Sequence, residues 1–365
     1  MEKLKIDSYD VAKELLDQIK YQTVLHTIFS GQTPGWIYVD NIREPKIALA
    51  QFKQRVFLSG NPDANLEYSW HKFFLTEVKN NCEKSNVDFF RLTVNDSRWL
   101  DILGKSLENK EPIQMAYHIY QKQSNIPIRN VPTPDGYQLL PVNRSLIQKS
   151  FPEKDDLLEE MCSERESVDA FLQNSFGLAA FKDSSLAGWC LSEYNFQDQC
   201  EIGIASRPAH RKIGLAKAMT QKFQTQALEI GISNLLWHCA GSNQPSCRTA
   251  LSAGFELVDH HDVLMLFWDR TLSLAVHGNI YFENQDYQEA INWYERALSQ
   301  KNRQAWMASN AACAASHLNR LDAAFKFLEL TINLGFDNFD YIQNSEHMTH
   351  MKNDPRWKVL INREK

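Results

Sequence analysis

The sequence predicts an α+β protein, strands mixed with helices, followed by an all-α helical-repeat region. Three observations predict it. Apolar runs of strand length alternate with amphipathic stretches from Trp36 to Trp268, a proline-rich segment at Ser124–Gly136 interrupts them, and small and aromatic residues recur at a fixed offset from Gly278 onward. The expected organisation is an α/β domain at 1–123, a linker at 124–136, a second domain at 137–270 and helical repeats with a cap at 271–365.

Composition narrows the class. The 365 residues are 43% hydrophobic and 23% charged, as in an ordinary globular protein. A net charge of −6, with no arginine-rich run, argues against nucleic acid or anionic membrane as a partner. The charged start lacks the apolar core of a secretory signal, and the seven cysteines are odd in number with no Cys-x-x-Cys pair. A reducing, cytoplasmic location without a structural metal is the expectation.

In the first domain, Tyr9–Phe29 has near-helical spacing, Trp36–Val39 and Lys46–Ser59 read as strands, and Asn61-Pro62-Asp63 as a turn. Leu66–Val78 and Arg98–Leu107 read as helices, Phe89–Val94 and Ile113–Tyr120 as strands. Pro127, Pro132, Pro134 and Gly136 make Ser124–Gly136 the best linker.

The second domain opens with a strand at Tyr137–Pro141 and helical stretches to Ser175. Leu178–Phe181 and Leu186–Ser192 pair across the polar turn Lys182–Ser185. Glu201–Ala205, Asn234–Cys239 and Val263–Trp268 are strands, Lys212–Ile230 an amphipathic helix and Pro245–Ser252 a short one. Beyond residue 271, Gly278, Tyr281, Ala290, Tyr294 and Ala297 recur in kind at Ala312, Ala315, Ala324, Leu328 and Thr331, each 34 residues on. That period marks a helix–turn–helix array and resembles tetratricopeptide repeats, with a terminal cap from Asn333.

The stretch that carries chemistry is Arg207-Pro-Ala-His-Arg211-Lys-Ile-Gly214-Leu-Ala216, between a strand and an amphipathic helix. A helix N-terminus offers unpaired N–H groups and the positive end of the dipole, which suits an anion. Gly214 and Ala216 lack bulk, so backbone can approach a diphosphate, and Arg211 and Lys212 add positive charge. A tight turn with no ligand is the bland alternative for such a decapeptide.

Arg211, Gly214 and Ala216 match the Arg/Gln-x-x-Gly-x-Gly/Ala motif of the GNAT acetyltransferases, and Pro208 fits the lead-in. Asn243 lies twelve residues before Phe255 of Gly254-Phe255, which resembles that family's asparagine-to-Gly-Phe segment. Glu201-Ile-Gly-Ile204 and Trp237-His-Cys are most similar to its zwittermicin-A-resistance type. The resemblance spans about 176–257, weakens back to 137, and implies a mixed, mostly antiparallel sheet flanked by helices, preceded by a degenerate GNAT-like half without a cofactor motif at 30–122.

It implies direct transfer of an acyl group, most simply acetyl, from acyl-CoA to a primary amine. Ile204, Ala205 and Ser206 would offer backbone groups beside a splayed strand, Arg211, Lys212, Ile213, Gly214, Leu215 and Ala216 would cradle the diphosphate, and Asn243 and Ser246 would meet the pantetheine arm. Glu201, ten residues before Arg211, is the first candidate base and Glu193 the second. A tyrosine acid is frequent in the family seven residues after the asparagine; Ala250 stands there, leaving Ser246, Cys247 or Ser252 to act through water. His238, inside a strand, reads as a packed histidine, and His260-His261 as a loop pair with no metal-ligand spacing. The acceptor is a small-molecule or peptide amine, and the repeat would dock a partner, a second copy or its own core. The alternative is a non-catalytic acyl-CoA-binding or relic core, with the repeat as the working part.

Overall fold

The computed structural model describes residues 1–65, 69–123, 131–336 and 338–361. Residues 66–68 of an expected helix, 124–130 of the expected linker and Asp337 of the expected cap lie outside the described residues. Residues 1–106 with 114–265 form one compact unit, and 107–113 with 266–365 a second.

The first half contributes β1 (Glu2–Lys3), β2 (Trp36–Val39), β3 (Ile47–Phe52), β4 (Arg55–Gly60), β5 (Phe89–Val94) and β6 (Ile113–Gln123). The second contributes β7 (Tyr137–Pro141), β8 (Gly177–Lys182), β9 (Ser185–Phe196), β10 (Gln199–Ser206), β11 (Asn234–Ala240) and β12 (Glu256–Phe267). Lys46–Ser59 is therefore two strands, turned at Lys53 with φ of 49°. His260 and His261, expected in a loop, lie within β12.

All twelve strands join one sheet in the order β1-β2-β3-β4-β5-β12-β6-β11-β10-β9-β8-β7. Each half repeats one pattern. An antiparallel run β2–β3–β4 ends on parallel β5, and an antiparallel run β8–β9–β10 ends on parallel β11. The closing strands are exchanged: β6 of the first half pairs with β11, while β12 of the second lies between β5 and β6. The halves on either side of the linker thus share one sheet and one compact unit.

The expected helix Tyr9–Phe29 breaks before α1 (Thr23–Phe29), with Tyr21 at φ of 58°. The break aims the N-terminus of α1 at a buried carboxylate: Thr23 N donates to Glu201 Oε1 at 2.6 Å. In the second half, α2 (Leu215–Glu229) buries Leu215, Met219, Phe223 and Ala227 against one face of the sheet, where Phe176 stacks on Phe223 at 4.6 Å. The short helix α3 is Gln244–Ser252.

The second unit holds two helical hairpins, α4 (Arg270–Glu283) with α5 (Tyr287–Leu298) and α6 (Ala305–His317) with α7 (Leu321–Asn333). The small residues of the 34-residue repeat sit where helices cross. A Cβ added to Gly278 would lie 2.6 Å from the buried Tyr294 ring. Ile342, Met348, Met351, Trp357 and Leu360 of the cap close the same core.

Candidate functional site

The site begins where β10 leaves the sheet. Pro208–His210 makes one tight turn, Lys212 and Gly214 adopt φ of 63° and 84°, and α2 starts at Leu215, three residues later than its apolar pattern suggests. Gly214 is the N-cap, and Ala218 N closes the first turn on its carbonyl at 3.1 Å. The N–H groups before Ala218 therefore lack helical acceptors and point out of the helix end. Arg211, Lys212, Ile213 and Gly214 are exposed, Leu215 is buried as the anchor, and Ala216 is half-buried. Arg211 Nε donates to Ser206 O at 2.9 Å, tying the loop to the end of β10. A Cβ on Gly214 meets nothing within 4 Å, so the space above the helix end is open and the left-handed φ alone demands glycine.

Beside this helix end the sheet divides. Parallel pairing of β10 with β11 runs from Gln199↔Asn234 to Ile202↔Trp237 and then ends, although both strands continue. Gly203, Ile204, Ala205 and Ser206 keep their pairing to β9 on the other side, and His238, Cys239 and Ala240 keep theirs to β6. A wedge therefore opens between the strands, edged by main-chain groups without a ladder partner across it. Ile204, Ala205 and Ser206, half-buried, line its β10 edge, and the buried Ser206 Oγ has no partner.

On the sheet face opposite α2, charged side chains from both halves meet. The Arg55 guanidinium contacts three carboxylates: Nε to Glu164 Oε2 at 3.0 Å, Nη2 to Glu193 Oε2 at 2.5 Å and Nη1 to Glu201 Oε2 at 2.5 Å. Tyr194 Oη donates to Glu164 Oε2 at 2.7 Å. Glu201 does not open to solvent. Its side chain is 2% exposed, with Arg55 on one oxygen and the α1 N-terminus on the other. Burial pushes its carboxyl up, but Arg55, followed by His238 and the Thr23 amide, outweighs this and leaves it below the ordinary range.

Glu193 differs. Glu201 pairs with Tyr194 and Ile202 with Ser192, so Glu193 is the extra residue of a bulge, re-aimed along the wedge. Gly203 makes room for it: a Cβ there would lie 2.6 Å from Glu193 Oε1. Its side chain is 23% exposed. Burial, only partly opposed by Arg55 and reinforced by Glu164 and Glu201, pushes its carboxyl up to about 8. Of the two carboxylates the sequence singles out, Glu201 is a fixed anion and Glu193 the one placed to titrate. Arg55 escaped the sequence reading; its signal is a charged residue leading directly into the apolar run Val56, Phe57, Leu58 of the strand Arg55–Gly60.

Asn243 caps α3 through Oδ1, which accepts from Ser246 N at 3.2 Å, and Ser246 Oγ accepts from Trp237 Nε1 at 2.9 Å. Both stand at the helix start, on the side of the sheet that carries α2. Ala250 is fully buried and Ser252 Oγ donates to Thr249 O, so neither supplies an acid. Cys247, also buried, lies 3.7 Å from Cys239 Sγ. Among the described residues no group of three or more His, Cys, Asp or Glu is placed to hold a metal ion, and no helix is long and apolar enough to cross a membrane.

Residues 13–264 match the family model of GNAT acetyltransferases, and residues 273–303 match a tetratricopeptide repeat. An uncharacterized N-acetyltransferase of Bacillus subtilis strain 168 is 22% identical over 264 residues, 72% of this chain and 97% of that protein. A GCN5-related N-acetyltransferase-like protein from Streptococcus suis superposes with a TM-score of 0.55 at 19% identity, over 72% of this chain and 98% of that one. A GCN5-related N-acetyltransferase from Sphaerobacter thermophilus does so with a TM-score of 0.51 at 11% identity, over 73% and 95%. At these identities the two structures show a shared fold.

Proposed function

The chain belongs to the GNAT acetyltransferase family, matched over residues 13–264 and followed by a tetratricopeptide repeat, and from that premise we propose that it transfers an acetyl group from acetyl-CoA directly to a primary amine. The observation that carries the reading is the wedge between β10 and β11, open beside the start of α2, where no side chain caps the helix. The N–H groups of Leu215 and Ala216 and the charges of Arg211 and Lys212 suit a diphosphate, with Ile213 and Gly214 in the same exposed loop. Gly203 to Ser206 suit an extended arm that hydrogen-bonds like an added strand. Asn243 and Ser246 flank the same path from α3.

The amine approaches from the carboxylate face. Glu193 takes the proton of an incoming ammonium, while Glu201 remains ionised and holds Arg55 and α1 in place. The repeat unit offers a protein-docking surface, and the seven free thiols fit a reducing, cytoplasmic location. One observation favours a second reading, a non-catalytic acyl-CoA-binding core: Ala250 provides no acid for the departing thiol.

Calorimetric titration with acetyl-CoA, followed by thiol release with a panel of primary amines, tests the proposal. Micromolar binding and amine-dependent release are expected. Binding without release under any amine supports the second reading, and no binding by folded protein contradicts both.

A further inference from the structure

His238 is the first residue of β11 beyond the last β10–β11 pair, so it stands at the apex of the wedge, where the strands part. Its side chain is 5% exposed, yet neither ring nitrogen has a hydrogen-bond partner. A buried imidazole with two idle nitrogens is costly unless something else engages it. The ring is packed, as the sequence suggests, and edge-on to Tyr117 at 6.5 Å, but neither nitrogen is hydrogen-bonded.

The charged and titratable groups around it are Glu201 on β10, Arg55 on β4, Arg91 on β5, Tyr117 on β6 and His261 on β12. Burial lowers the ring to about 4 against the pull of Glu201, with Arg55 and Arg91 adding to the fall, so it is neutral at working pH. Glu201 Oε2 lies 4.0 Å from Nδ1, too far for a hydrogen bond but near enough to favour the tautomer with its proton on Nδ1. Nε2 is then left as a bare acceptor.

Resting on the acyltransferase reading, we propose that His238 is a catalytic residue: Nε2 takes the proton that the attacking amine sheds as the C–N bond forms, and Glu201 is the positioning residue behind it. The amine lone pair bonds to the thioester carbon, the C–S bond breaks, and its electron pair leaves on sulfur. The nitrogen's surplus proton passes to Nε2 and from there to the departing sulfur, restoring the neutral ring and releasing a free thiol. Transfer from the adduct nitrogen to a ring lowered to about 4 is uphill, and it is drawn forward because the imidazolium formed readily protonates the departing thiolate. The ring thereby supplies the proton that the methyl group of Ala250 cannot.

The test uses the full chain with acetyl-CoA, with water and a panel of primary amines as acceptors. His238→Gln and His238→Phe should bind acetyl-CoA within about twofold of wild type by calorimetry while thiol release falls about a hundred-fold or more. Release within about threefold of wild type, with binding intact, would overturn the role; so would equal losses of binding and release, which mark a structural residue. Should both variants fail to fold, the ring ¹⁵N resonances of His238 in wild-type protein decide. A shift of Nε2 on adding acetyl-CoA supports the assignment, and no shift on saturation refutes it. Wild-type protein that binds no acetyl-CoA overturns the acyltransferase reading itself, a different outcome from wild type that binds and variants that still turn over.

Discussion

The two halves of the sheet unit build the same parallel strand pair and finish it differently. In the first half β4 pairs with β5 from Arg55↔Arg91 to Leu58↔Val94, and the end is then stitched shut. Asn95 N donates to Leu58 O at 3.3 Å, Gly60 N to Asn95 Oδ1 at 3.2 Å, and Trp99 Nε1 to Gly60 O at 3.2 Å. Aromatic rings of Trp70, Phe73, Phe74, Phe90 and Trp99 fill the adjoining layer. In the second half pairing stops at Ile202↔Trp237, four residues of β10 run on unpaired toward β11, and the following loop is exposed and cationic. One topology thus serves twice, once as a closed scaffold and once as a wedge. What separates them is a handful of side chains: Asn95 and Trp99 on one side, Gly203, Arg211 and Gly214 on the other.

The largest break in this comparison comes from Arg55, which belongs to the closed half but neutralises carboxylates of the open one. Arg55→Met leaves Glu164, Glu193 and Glu201 buried without their cation. It should cost about 3–5 kcal/mol in denaturant unfolding; a loss below about 1 kcal/mol would mean the join does not depend on this network.

Gly214→Glu should come next, affecting only the open half. It places a carboxylate at the helix start and forces a φ of 84° on a residue with a Cβ. Acetyl-CoA affinity should fall at least about a hundred-fold by calorimetry, while the strained φ costs only about 1–2 kcal/mol of stability. Unchanged affinity would remove the motif from the site.

Glu193→Gln sharpens the contrast through pH. With a folded value of about 8 against an ordinary 4.5, the protonated carboxyl stabilises the fold fully at low pH, and that stability is lost as pH rises through about 8. Wild-type melting temperature should therefore decline between pH 5 and 9 more steeply than that of Glu193→Gln. Acyl transfer should rise toward pH 8 as Glu193 ionises; the variant should lose that rise and about 10- to 100-fold in rate. Parallel pH profiles for the two proteins would exclude Glu193 as the titrating group. The smallest effect is Asn95→Ala, which unstitches the closed half for about 1 kcal/mol and leaves acetyl-CoA affinity as it was.

Much of this contrast was legible in the chain. The period-2 and period-3.6 runs located most strands and α2, and the 34-residue offset located the repeats; Arg211 and Gly214 pointed to the strand-to-helix turn through charge and small size, and Asn243 through the family resemblance. Long-range partnership was not legible. Nothing in Ile113–Tyr120 or Val263–Trp268 reveals that β6 and β12 trade places, since strand periodicity names a face and never a neighbour. Glu201 stood as the first candidate base because the partners that occupy it, Thr23 and Arg55, are 178 and 146 residues away. His238 looked packed because burial is readable from an apolar run, whereas an unfilled hydrogen bond is not.

Amide hydrogen exchange with and without acetyl-CoA tests the difference between the halves most directly. Saturating acetyl-CoA should protect Gly203–Ser206 and Leu215–Lys217 and leave Arg55–Gly60 and Asn95 unchanged. Equal protection in both halves, or protection confined to the first, would contradict the claim that only the wedge between β10 and β11 is the acyl-CoA site.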